Sequence, residues 1–568
     1  MKQHLLYLLI LFALAASSGC ERDLITLIDN SGSGDDGEVI VDTTFSSVVN
    51  VVFSTTGDAT VSGTDDNFNV TVNGNHVTIV YSGDSSIMYS LSGTTTDGFL
   101  KLYSGTSQGI RLNNASITNR NGAAINIQGP QSEPGKGKST YFVLTGANTL
   151  ADGSSYTVTP SNEDEKAALF SEGQIVFSGN GSLTVNATGK SGIISDKYLQ
   201  FLSGPTIKVT STAGHGIRGS DYILISGGNL DVNVSADTKK GLGTDGYLHI
   251  NGGSTTVKVS GGAAYDSGES AYSGSAGVKT KGDFKMNGGT LTITNSGSGG
   301  KGINGDGAGY FNGGTLTITT TGSNYTAGDI SSKGIKFDGN LLFAGSNVTV
   351  NCSANEGIES KGTISVTDGI IYCYSASDDA INSGGDFTIS GGYVFAYAPS
   401  NDGMDANGNF YITGGLVYAI GSNAPEVAID ANTEEGYRLY VQGGTLIAIG
   451  GLENGAALTQ SCYSAASWSA NTWYALTVGG STYAFKTPAS GGTPLVVSGA
   501  STPTLQSGVT VSGGTTIFNG MLTTGASISG GSSVSLSSYT GGNGGGGPGG
   551  GPGGGGPGGG WKLSNSKG

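Results

Sequence analysis

Charged residues are scarce in this chain of 568 residues, and basic residues are the scarcer kind. Charged side chains make up 12% of the sequence, against the ~25% that is usual in soluble domains. The 42 acidic and 26 basic residues give a net charge of −16. Nucleic-acid binding depends on lysine and arginine contacts to phosphate, so this balance argues against a nucleic-acid partner. It is compatible with cation binding.

Cysteine and histidine are also rare, at four residues each, which disfavours a zinc site. Besides Cys20 there are Cys352, Cys373 and Cys462, and three thiols cannot all pair within the chain. The repeat described below places Cys352 and Cys373 on the inward face of neighbouring repeats, two positions out of line. We therefore predict that both are small apolar core residues rather than a disulfide.

Long apolar runs are missing after the first twenty residues, so no later segment is predicted to span a membrane. Lys2 and the apolar stretch from Leu5 to Ala16 have the features of an export signal. The sequence Ser17-Ser18-Gly19-Cys20 resembles a bacterial lipobox, although Ser17 replaces the usual leucine. Residues 1–19 are thus predicted to be a lipoprotein signal peptide and Cys20 the lipidation site, with simple secretion as the alternative. The acidic start at Glu21 resembles surface-export signals, so we predict a lipid-anchored protein exposed on the outer membrane.

Glycine is abundant, with 103 residues, and much of it belongs to a repeated pattern. A small residue followed by an apolar one recurs every 23–25 residues, with two longer intervals of 36 and 32. The apolar residues of this pattern are Ile193, Ile217, Leu242, Val278, Ile303, Ile335, Ile358, Ile381, Met404 and Ile429. About ten residues later, a Gly-Gly pair often precedes a strand that alternates apolar and polar residues, as at Gly227-Gly228.

A repeat of this length with short alternating strands cannot bury its apolar face alone, and stacking of repeats solves that problem. Leucine-rich repeats and propeller blades differ in motif or in length. The sequence therefore predicts an all-β fold, a parallel β-helix with three strands per coil over residues 101–454. The two longer intervals predict loops after Gly262 and Gly322.

The flanking segments differ from the repeat. Residues 20–35 are predicted to be a linker, and residues 36–100 a β-rich N-terminal cap with a hairpin around Asn73-Gly74-Asn75. Residues 455–540 are predicted to be a β-rich C-terminal region that caps the other end. Residues 541–568 form a Gly/Pro-rich flexible tail.

Acidic residues fall in columns where three successive intervals are 23 residues long. Neighbouring coils lie about 4.8 Å apart, and two like charges at ~5 Å cost roughly 3 kcal/mol at an effective dielectric constant of 20. Oxygen-rich sets of this kind are what Ca²⁺ binds; the alternative is that Asp-Gly and Asn-Asp simply form turns. The three columns are Glu356, Asp379 and Asp402; Asn355, Asp378 and Asn401; and Glu359, Asn382 and Asp405.

Lys333 occupies the first of these columns in the preceding repeat, and Lys240 and Lys301 hold the corresponding place earlier. Lys333 is either a charge partner of Glu356 or a catalytic base beside a metal. The repeat after Asp402 adds Glu426 and Asp430.

Aromatic residues form a strip on the strands that precede the acidic turns. The register puts Cys373 and its equivalents inward, so the aromatic residues beside them are predicted to face outward. Exposed aromatic patches mark binding surfaces, although aromatic ladders also stabilise sheets by themselves. The predicted carbohydrate-binding residues are Tyr372, Tyr374, Phe395, Tyr397 and Tyr418.

Several segments together resemble a known family, the bacterial carbohydrate-binding β-helix proteins, whose fold is related to calcium-dependent family 9 pectate lyases. The resemblance spans about residues 60–450 and rests on motifs in one order, among them Tyr89-Ser-Leu-Ser-Gly-Thr, Gly216-Ile-Arg-Gly-Ser-Asp-Tyr, Asn355-Glu-Gly-Ile-Glu-Ser and Asp378-Asp-Ala-Ile-Asn. It implies a right-handed coil, bound Ca²⁺, and cellulose or an acidic pectin-like chain as ligand. The metal ligands that it implies are Glu356, Glu359, Asp378, Asp379, Asn382, Asp402 and Asp405.

Three functions are compatible with this reasoning. The first is a monomeric, non-catalytic, calcium-containing polysaccharide binder at the cell surface. The second is a calcium-dependent polysaccharide lyase with Lys333 as base. The third is a structural adhesin without a glycan site. No nucleophile elbow, P-loop, dinucleotide fingerprint or zinc-protease motif is present in the sequence.

Overall fold

A computed structural model describes residues 45–541, except residues 134, 158, 159 and 162. This part of the chain is nearly all β, with 55% in strands and no α-helix, so the all-β prediction is confirmed. No helix in it is long and apolar enough to cross a membrane. The predicted signal peptide, linker and lipidation site at Cys20 lie outside the described residues, as does the tail beyond residue 541.

The first part of the chain contains short and long strands with both kinds of pairing. They are β1 (Ser47–Phe53), β2 (Thr60–Ser62), β3 (Phe68–Asn73), β4 (Asn75–Tyr81), β5 (Ile87–Thr95), β6 (Gly98–Ser104), β7 (Gln108–Thr118) and β8 (Ile125–Gln128). Strands β3 and β4 form the predicted hairpin, with Asn73 opposite His76. Parallel pairing already begins here, because β1 pairs with β5 and β4 with β6.

The middle of the chain consists of short strands. They are β9 (Thr140–Thr145), β10 (Ala147–Ala151), β11 (Ala167–Ser171), β12 (Ile175–Gly179), β13 (Ser182–Ala187), β14 (Ser191–Ser195), β15 (Leu199–Phe201), β16 (Thr206–Ser211), β17 (Ile217–Gly219), β18 (Tyr222–Ile225), β19 (Asn229–Val234), β20 (Lys240–Thr244), β21 (Tyr247–Ile250), β22 (Ser254–Val259), β23 (Ala264–Asp266), β24 (Ala271–Ser273), β25 (Ala276–Thr280), β26 (Phe284–Met286), β27 (Thr290–Asn295), β28 (Lys301–Gly305), β29 (Gly309–Phe311) and β30 (Thr315–Thr320).

Further strands continue this pattern up to residue 449, and two of them, β32 and β34, are longer than the rest. They are β31 (Lys333–Phe337), β32 (Leu341–Cys352), β33 (Ile358–Ser360), β34 (Ile364–Ser375), β35 (Ile381–Ser383), β36 (Phe387–Ile389), β37 (Tyr393–Tyr397), β38 (Met404–Ala406), β39 (Phe410–Ile412), β40 (Leu416–Ile420), β41 (Leu439–Val441) and β42 (Thr445–Ile449). Single 3-10 turns lie at Thr326–Gly328 and Thr433–Glu435.

The last part of the chain turns from parallel to antiparallel pairing. Its strands are β43 (Ala457–Leu458), β44 (Cys462–Ala465), β45 (Trp473–Val478), β46 (Ser481–Lys486), β47 (Leu495–Ser498), β48 (Thr504–Ser512), β49 (Thr515–Ile517), β50 (Leu522–Thr524), β51 (Ser527–Val534) and β52 (Ser537–Tyr539). A 3-10 turn lies at Phe518–Gly520. Six of these strands, in the order β49-β50-β46-β45-β48-β51, form a separate antiparallel sheet, here called the C-terminal sheet.

Parallel strands that recur along the chain form two large sheets. One has 14 strands in the order β3-β4-β6-β8-β11-β14-β17-β20-β25-β28-β31-β33-β35-β38, and the other has 30 strands. Every parallel pair joins a strand to its equivalent one interval later, as Ile335 pairs with Ile358 and Ile358 with Ile381. Inward side chains of both sheets share one core that extends from Val49 to Tyr539. Cys352 and Cys373 lie in buried positions as free thiols, as predicted.

Close packing explains the small residue before each apolar position. A Cβ atom at Gly241 would lie 2.2 Å from Val257 Cγ1 and 2.7 Å from the Gly277 carbonyl oxygen. Gly334 and Gly357 face Val350 and Cys373 in the same way. In the next strand, the register partner of Cys373 is Ala396, a smaller residue, where Ala380 replaces the glycine. The smaller partner therefore leaves room for the extra methyl group.

Substitution of Gly241 by alanine is expected to destabilise the protein by about 1–3 kcal/mol, because the new methyl group overpacks the core. Gly243 on the same strand is a matched control, since its nearest neighbour would be Lys240 Cβ at 3.8 Å. Urea denaturation of both variants measures the difference. Equal loss of stability in the two variants would contradict the packing explanation.

Candidate functional site

One column on the 14-stranded sheet changes from basic to acidic along the chain. In register, Lys240 aligns with Ala276, and that position with Lys301 and Lys333. The next three strands continue this row two residues before Ile358, Ile381 and Met404, which pair in register. The residues at these places are Glu356, Asp379 and Asp402. We call this row the charge column.

Each early lysine of the charge column places its ammonium group in the turn, where backbone carbonyl oxygens accept hydrogen bonds from it. Lys240 Nζ donates to the Thr238 carbonyl oxygen at 2.5 Å and also to the Gly274 carbonyl oxygen. Lys301 Nζ donates to the Ser331 carbonyl oxygen at 3.0 Å. Burial and neighbouring lysines lower the pKa of both Lys240 and Lys301 to about 8.

Where the charge column changes from lysine to acidic residues, Lys333 forms ion pairs with Glu356 and Glu359. Its Nζ lies 3.0 Å from the Glu356 carboxylate and 2.5 Å from Glu359 Oε2. Lys361 Nζ also contacts Glu359. The prediction that Lys333 is a charge partner of Glu356 is confirmed. Lys333 and Lys361 therefore neutralise Glu356 and Glu359, both predicted metal ligands, but Glu356 Oε2 is buried without a hydrogen-bond partner among the described residues.

Asp379 and Asp402 follow in the charge column without such a cation among the ion pairs of the described residues. They are only 7% and 8% exposed. Burial, together with nearby carboxylates, raises the pKa of Asp379 to about 7 and that of Asp402 to about 8. Asp405 behaves alike, with burial raising its pKa to about 6. The arrangement thus concentrates buried carboxyl groups in these repeats, where burial disfavours their ionised form.

Amide groups connect the acidic positions across the repeats. Asn355 Nδ2 and Asn401 Nδ2 each donate to Asp378 at 2.8 Å, to one oxygen each. Asn382 Nδ2 donates to Asp379 Oδ2 at 3.1 Å and to Asp405 Oδ2 at 3.0 Å. Asp378 is therefore well satisfied by amides, whereas Asp379 and Asp405 share one amide. Asn355 Oδ1 is buried without a hydrogen-bond partner.

Sequence reasoning missed Glu453, a member of this acidic region that is hydrogen-bonded to Asp430. Burial and a hydrogen bond to Glu453 raise the pKa of Asp430 well above its usual range. Glu453 follows Leu452, which pairs with Ile429, so the 23-residue step that connects Glu359, Asn382 and Asp405 also leads from Asp430 to Glu453 and could have identified it. Its Oε1 accepts a hydrogen bond from Thr433 Oγ1 at 3.0 Å.

The acidic region provides the type of donor atoms that a Ca²⁺ ion requires. Its available atoms are carboxylate and amide oxygens, the donor type that Ca²⁺ prefers. In the described part of the chain, however, no three His, Cys, Asp or Glu side chains form a group that holds a metal as they stand. The donor chemistry fits, and the side chains that would hold the ion are Asp379, Asp402 and Asp405, with Asp378 and Asn382 beside them.

The predicted aromatic strip divides into two parts. Tyr372, Tyr374 and Tyr397 are half-buried and line a cleft of about 410 Å³, to which the C-terminal region contributes Lys486 and other residues. Tyr372 stacks on Phe395, with ring centroids 4.9 Å apart, and Tyr374 and Tyr397 lie 5.3 Å apart. Tyr397 donates a hydrogen bond to the Ser490 carbonyl oxygen at 3.1 Å.

Phe395 and Tyr418 correct the prediction of an exposed strip, because both are completely buried. They point away from the core of the large sheets, but the C-terminal sheet covers them. Phe395 packs 5.5 Å from Phe518, and Tyr418 packs 5.5 Å from Phe485. The ring of Tyr418 is not accessible to a glycan in this structure, and Phe395 lies in the wall of the cleft without exposed surface of its own. No pattern in the sequence indicates this cover, which comes from residues far along the chain.

Stacked tyrosines also occur elsewhere on the large sheets. Tyr198, Tyr222 and Tyr247 form a ladder with centroids 4.6 Å apart, and Tyr411 and Tyr440 stack at 5.0 Å. Stacking alone therefore does not distinguish a binding site from a sheet-stabilising ladder. What distinguishes Tyr372, Tyr374 and Tyr397 is the cleft.

Comparison with known families gives one match. The profile of the family described as "Carbohydrate-binding domain-containing protein" matches residues 73–272 and 232–380. Together the two matches span more than half of the chain. A search among curated proteins gave no significant match.

A solved structure shows limited similarity. It is described as the structure of the polysaccharide lyase-like protein from C. thermocellum, gadolinium derivative. It is 21% identical in sequence, with a TM-score of 0.34, and the alignment covers 52% of this chain and 96% of that chain. A similarity at this level does not bear on function.

Proposed function

The chain belongs to the family of carbohydrate-binding domain-containing proteins, and on that premise we propose that it binds polysaccharide without cleaving it. The observation that carries this proposal is the cleft lined by Tyr372, Tyr374 and Tyr397. Flat aromatic rings suit the apolar faces of sugar rings, and polar tips satisfy their hydroxyl groups. Asn351 and Lys486 supply further polar groups at the same cleft. The ligand class that we favour is cellulose or an acidic, pectin-like chain.

The contacts of Lys333 support binding rather than lyase chemistry. A catalytic base has to be free to accept a proton from the substrate. Lys333 is 8% exposed and is paired with both Glu356 and Glu359. Burial lowers the pKa of Lys333, but the two carboxylates outweigh that effect and hold it above its usual value. A lyase with Lys333 as base remains the second candidate, and an unsaturated product from polygalacturonate would establish it.

Calcium is proposed as the cation of the acidic region. The support is the contrast along the charge column: earlier turns contain a lysine ammonium group, whereas Asp379 and Asp402 have no basic partner in the part of the chain that the structure describes. A bound divalent cation would supply the charge compensation that lysine supplies elsewhere. Glu356 and Glu359 contribute to such a site only if Lys333 moves away from them.

The proposed overall path is a right-handed parallel β-helix, anchored to the outer membrane through a lipid on Cys20. In-register pairing of successive equivalents and the single shared core support the helical path. The anchor is supported by the sequence around Cys20 alone. Radioactive palmitate labelling that persists in a Cys20→Ala variant would exclude the anchor.

The glycan site is tested by removing two rings of the cleft. The double variant Tyr372→Ala with Tyr397→Ala is expected to weaken polysaccharide retention about tenfold, because two aromatic contacts of ~0.5–1.5 kcal/mol each are lost. Affinity electrophoresis in gels containing cellulose derivatives or polygalacturonate measures retention.

Tyr411→Ala with Tyr440→Ala is the matched control, because these rings also stack on a large sheet but lie outside the cleft. Retention that falls equally in both double variants would indicate general destabilisation. If the wild-type protein binds none of the polysaccharides with calcium present, the adhesin function is favoured instead.

A further inference from the structure

The N-terminal end of the 14-stranded sheet contains a groove that the proposed function does not use. Its volume is about 550 Å³, and strands β3, β4, β6 and β8 form much of its surface. Its lining is completed by Asn119, Asn121, Ala123, Thr157 and Glu165. We call this cavity the N-terminal groove.

Polar side chains form the floor of the N-terminal groove in a single row. Thr71 pairs with Thr78, Thr78 with Lys101, and Lys101 with Asn126 across four neighbouring strands. Since these residues are register partners, their side chains project from the same face of the sheet. The row supplies two hydroxyl groups, an ammonium group and an amide over four strand positions.

Two aromatic rings lie beside this row. His76 and Phe99 are register partners, two residues before Thr78 and Lys101 on the same strands. Their rings stack with centroids 4.7 Å apart and an interplanar angle of 19°. Both rings are half-buried, so part of their surface faces the groove. The groove thus combines a flat apolar surface with several hydrogen-bonding groups.

Asn126 provides an independent sign of a ligand. This residue lines the groove and is 1% exposed. Its Oδ1 accepts a hydrogen bond from Gln128 Nε2 at 2.5 Å, but its Nδ2 has no hydrogen-bond partner among the described residues. A buried donor left without an acceptor destabilises the folded protein. A ligand oxygen in the groove would supply the acceptor.

The charged groups of the groove nearly cancel one another. Lys101 Nζ pairs with Glu163 Oε2 at 2.8 Å, and Tyr103 donates to the other oxygen of Glu163. Glu165 Oε1 accepts from the Ala123 backbone N–H at 2.7 Å. No excess of positive charge remains among these groups to attract a carboxylate, which argues against an acidic ligand.

We propose that the N-terminal groove is a second carbohydrate site, and that it takes a neutral oligosaccharide. A sugar ring lies against the His76–Phe99 stack, and one of its hydroxyl oxygens accepts the hydrogen bond from Asn126 Nδ2. Threonine hydroxyls and asparagine amides of the groove contact the remaining hydroxyl groups.

The groove and the tyrosine cleft are far apart and can be tested separately. Strand β6 and strand β35 are ten steps apart in the 14-stranded sheet, and at about 4.8 Å per step this is roughly 48 Å. The site at the groove therefore goes beyond the proposed function and does not depend on the cleft.

Isothermal titration with cellohexaose as the neutral probe and hexagalacturonate as the acidic probe tests this inference. The measurements use the wild type and the double variant Tyr372→Ala with Tyr397→Ala, in which the groove is the remaining site. In this background, Phe99→Ala and Asn126→Leu are each expected to weaken cellohexaose binding about tenfold. Asn126→Leu keeps a similar volume while removing the donor. Melting curves recorded by circular dichroism verify folding, and Phe99→Leu replaces Phe99→Ala if the latter unfolds.

Several results would overturn the second site. One is cellohexaose binding that is unchanged by Phe99 and Asn126 substitutions in folded variants. A preference of the groove for hexagalacturonate would refute the neutral class of ligand. If neither probe binds the wild type, both this site and the tyrosine cleft fail. If only the tyrosine variants change binding, the cleft stands and the groove fails.

Discussion

Replacement of Tyr418 by alanine is expected to destabilise the junction with the C-terminal sheet by about 3–5 kcal/mol, the usual range for loss of a large buried aromatic side chain. The ring is completely buried and packs against Phe485. Its hydroxyl group donates to the Lys486 carbonyl oxygen at 2.9 Å, so truncation also leaves that carbonyl unsatisfied.

Tryptophan fluorescence during urea denaturation is suited to this measurement, because Trp468 and Trp473 both lie in the C-terminal region. The matched control is Tyr374→Ala, a half-buried residue of the cleft, for which a loss of less than ~1 kcal/mol is expected. Comparable losses at both positions would show that the C-terminal sheet does not cover Tyr418 in solution.

Addition of Ca²⁺ is expected to raise the free energy of unfolding by ~2.7 kcal/mol when its free concentration is 100 times the dissociation constant, because the ion binds only the folded acidic region. Asp402→Asn should abolish this gain. In the presence of chelator the same variant should be more stable than the wild type near pH 8, since a buried, uncompensated charge is removed. Differential scanning calorimetry with and without chelator measures both effects.

The pH dependence in chelator has a definite sign. The pKa of Asp402 is about 8 in the folded protein, above the ordinary ~3.9. The folded state therefore binds more protons between these values, and the contribution of Asp402 to stability is present at low pH and is lost as the pH rises towards 8. Asp379, with a pKa of about 7, adds to the same trend. Asp402→Asn should flatten it.

An exposed acid of the same repeats, Asp368, is the control for the calcium prediction. Asp368→Asn should leave both the calcium effect and the pH trend in chelator unchanged. If chelator does not alter the melting curve of the wild type at any pH, the calcium proposal is wrong and the acidic turns are structural.

Local periodicity was sufficient to predict the all-β fold and the inward or outward direction of many side chains. Cys373 and Tyr372 are neighbours on one strand, and alternation alone places the thiol inward and the ring outward. The pairing of Lys333 with Glu356 also followed from spacing, because equal intervals put these residues next to each other. These features depend on contacts between adjacent repeats.

Features that depend on distant segments could not be predicted in this way. The burial of Phe395 depends on Phe518, more than a hundred residues later, and no pattern within the repeat indicates that contact. The N-terminal groove likewise needs Phe99, Asn126 and Glu165, which come from three separate segments. In each case the missing information was the path of an irregular segment.

The equal spacing of Ile335, Ile358, Ile381 and Met404 has a consequence for how such a protein can evolve. Because these residues pair directly with one another, loss or duplication of one 23-residue unit joins equivalent positions. The new junction keeps the core alternation, the turn glycines and the charge column in phase. Genetic recombination within this segment can therefore lengthen or shorten the acidic part of the charge column in whole steps of about 4.8 Å. Each added unit packs on its neighbour in the same way as the existing ones.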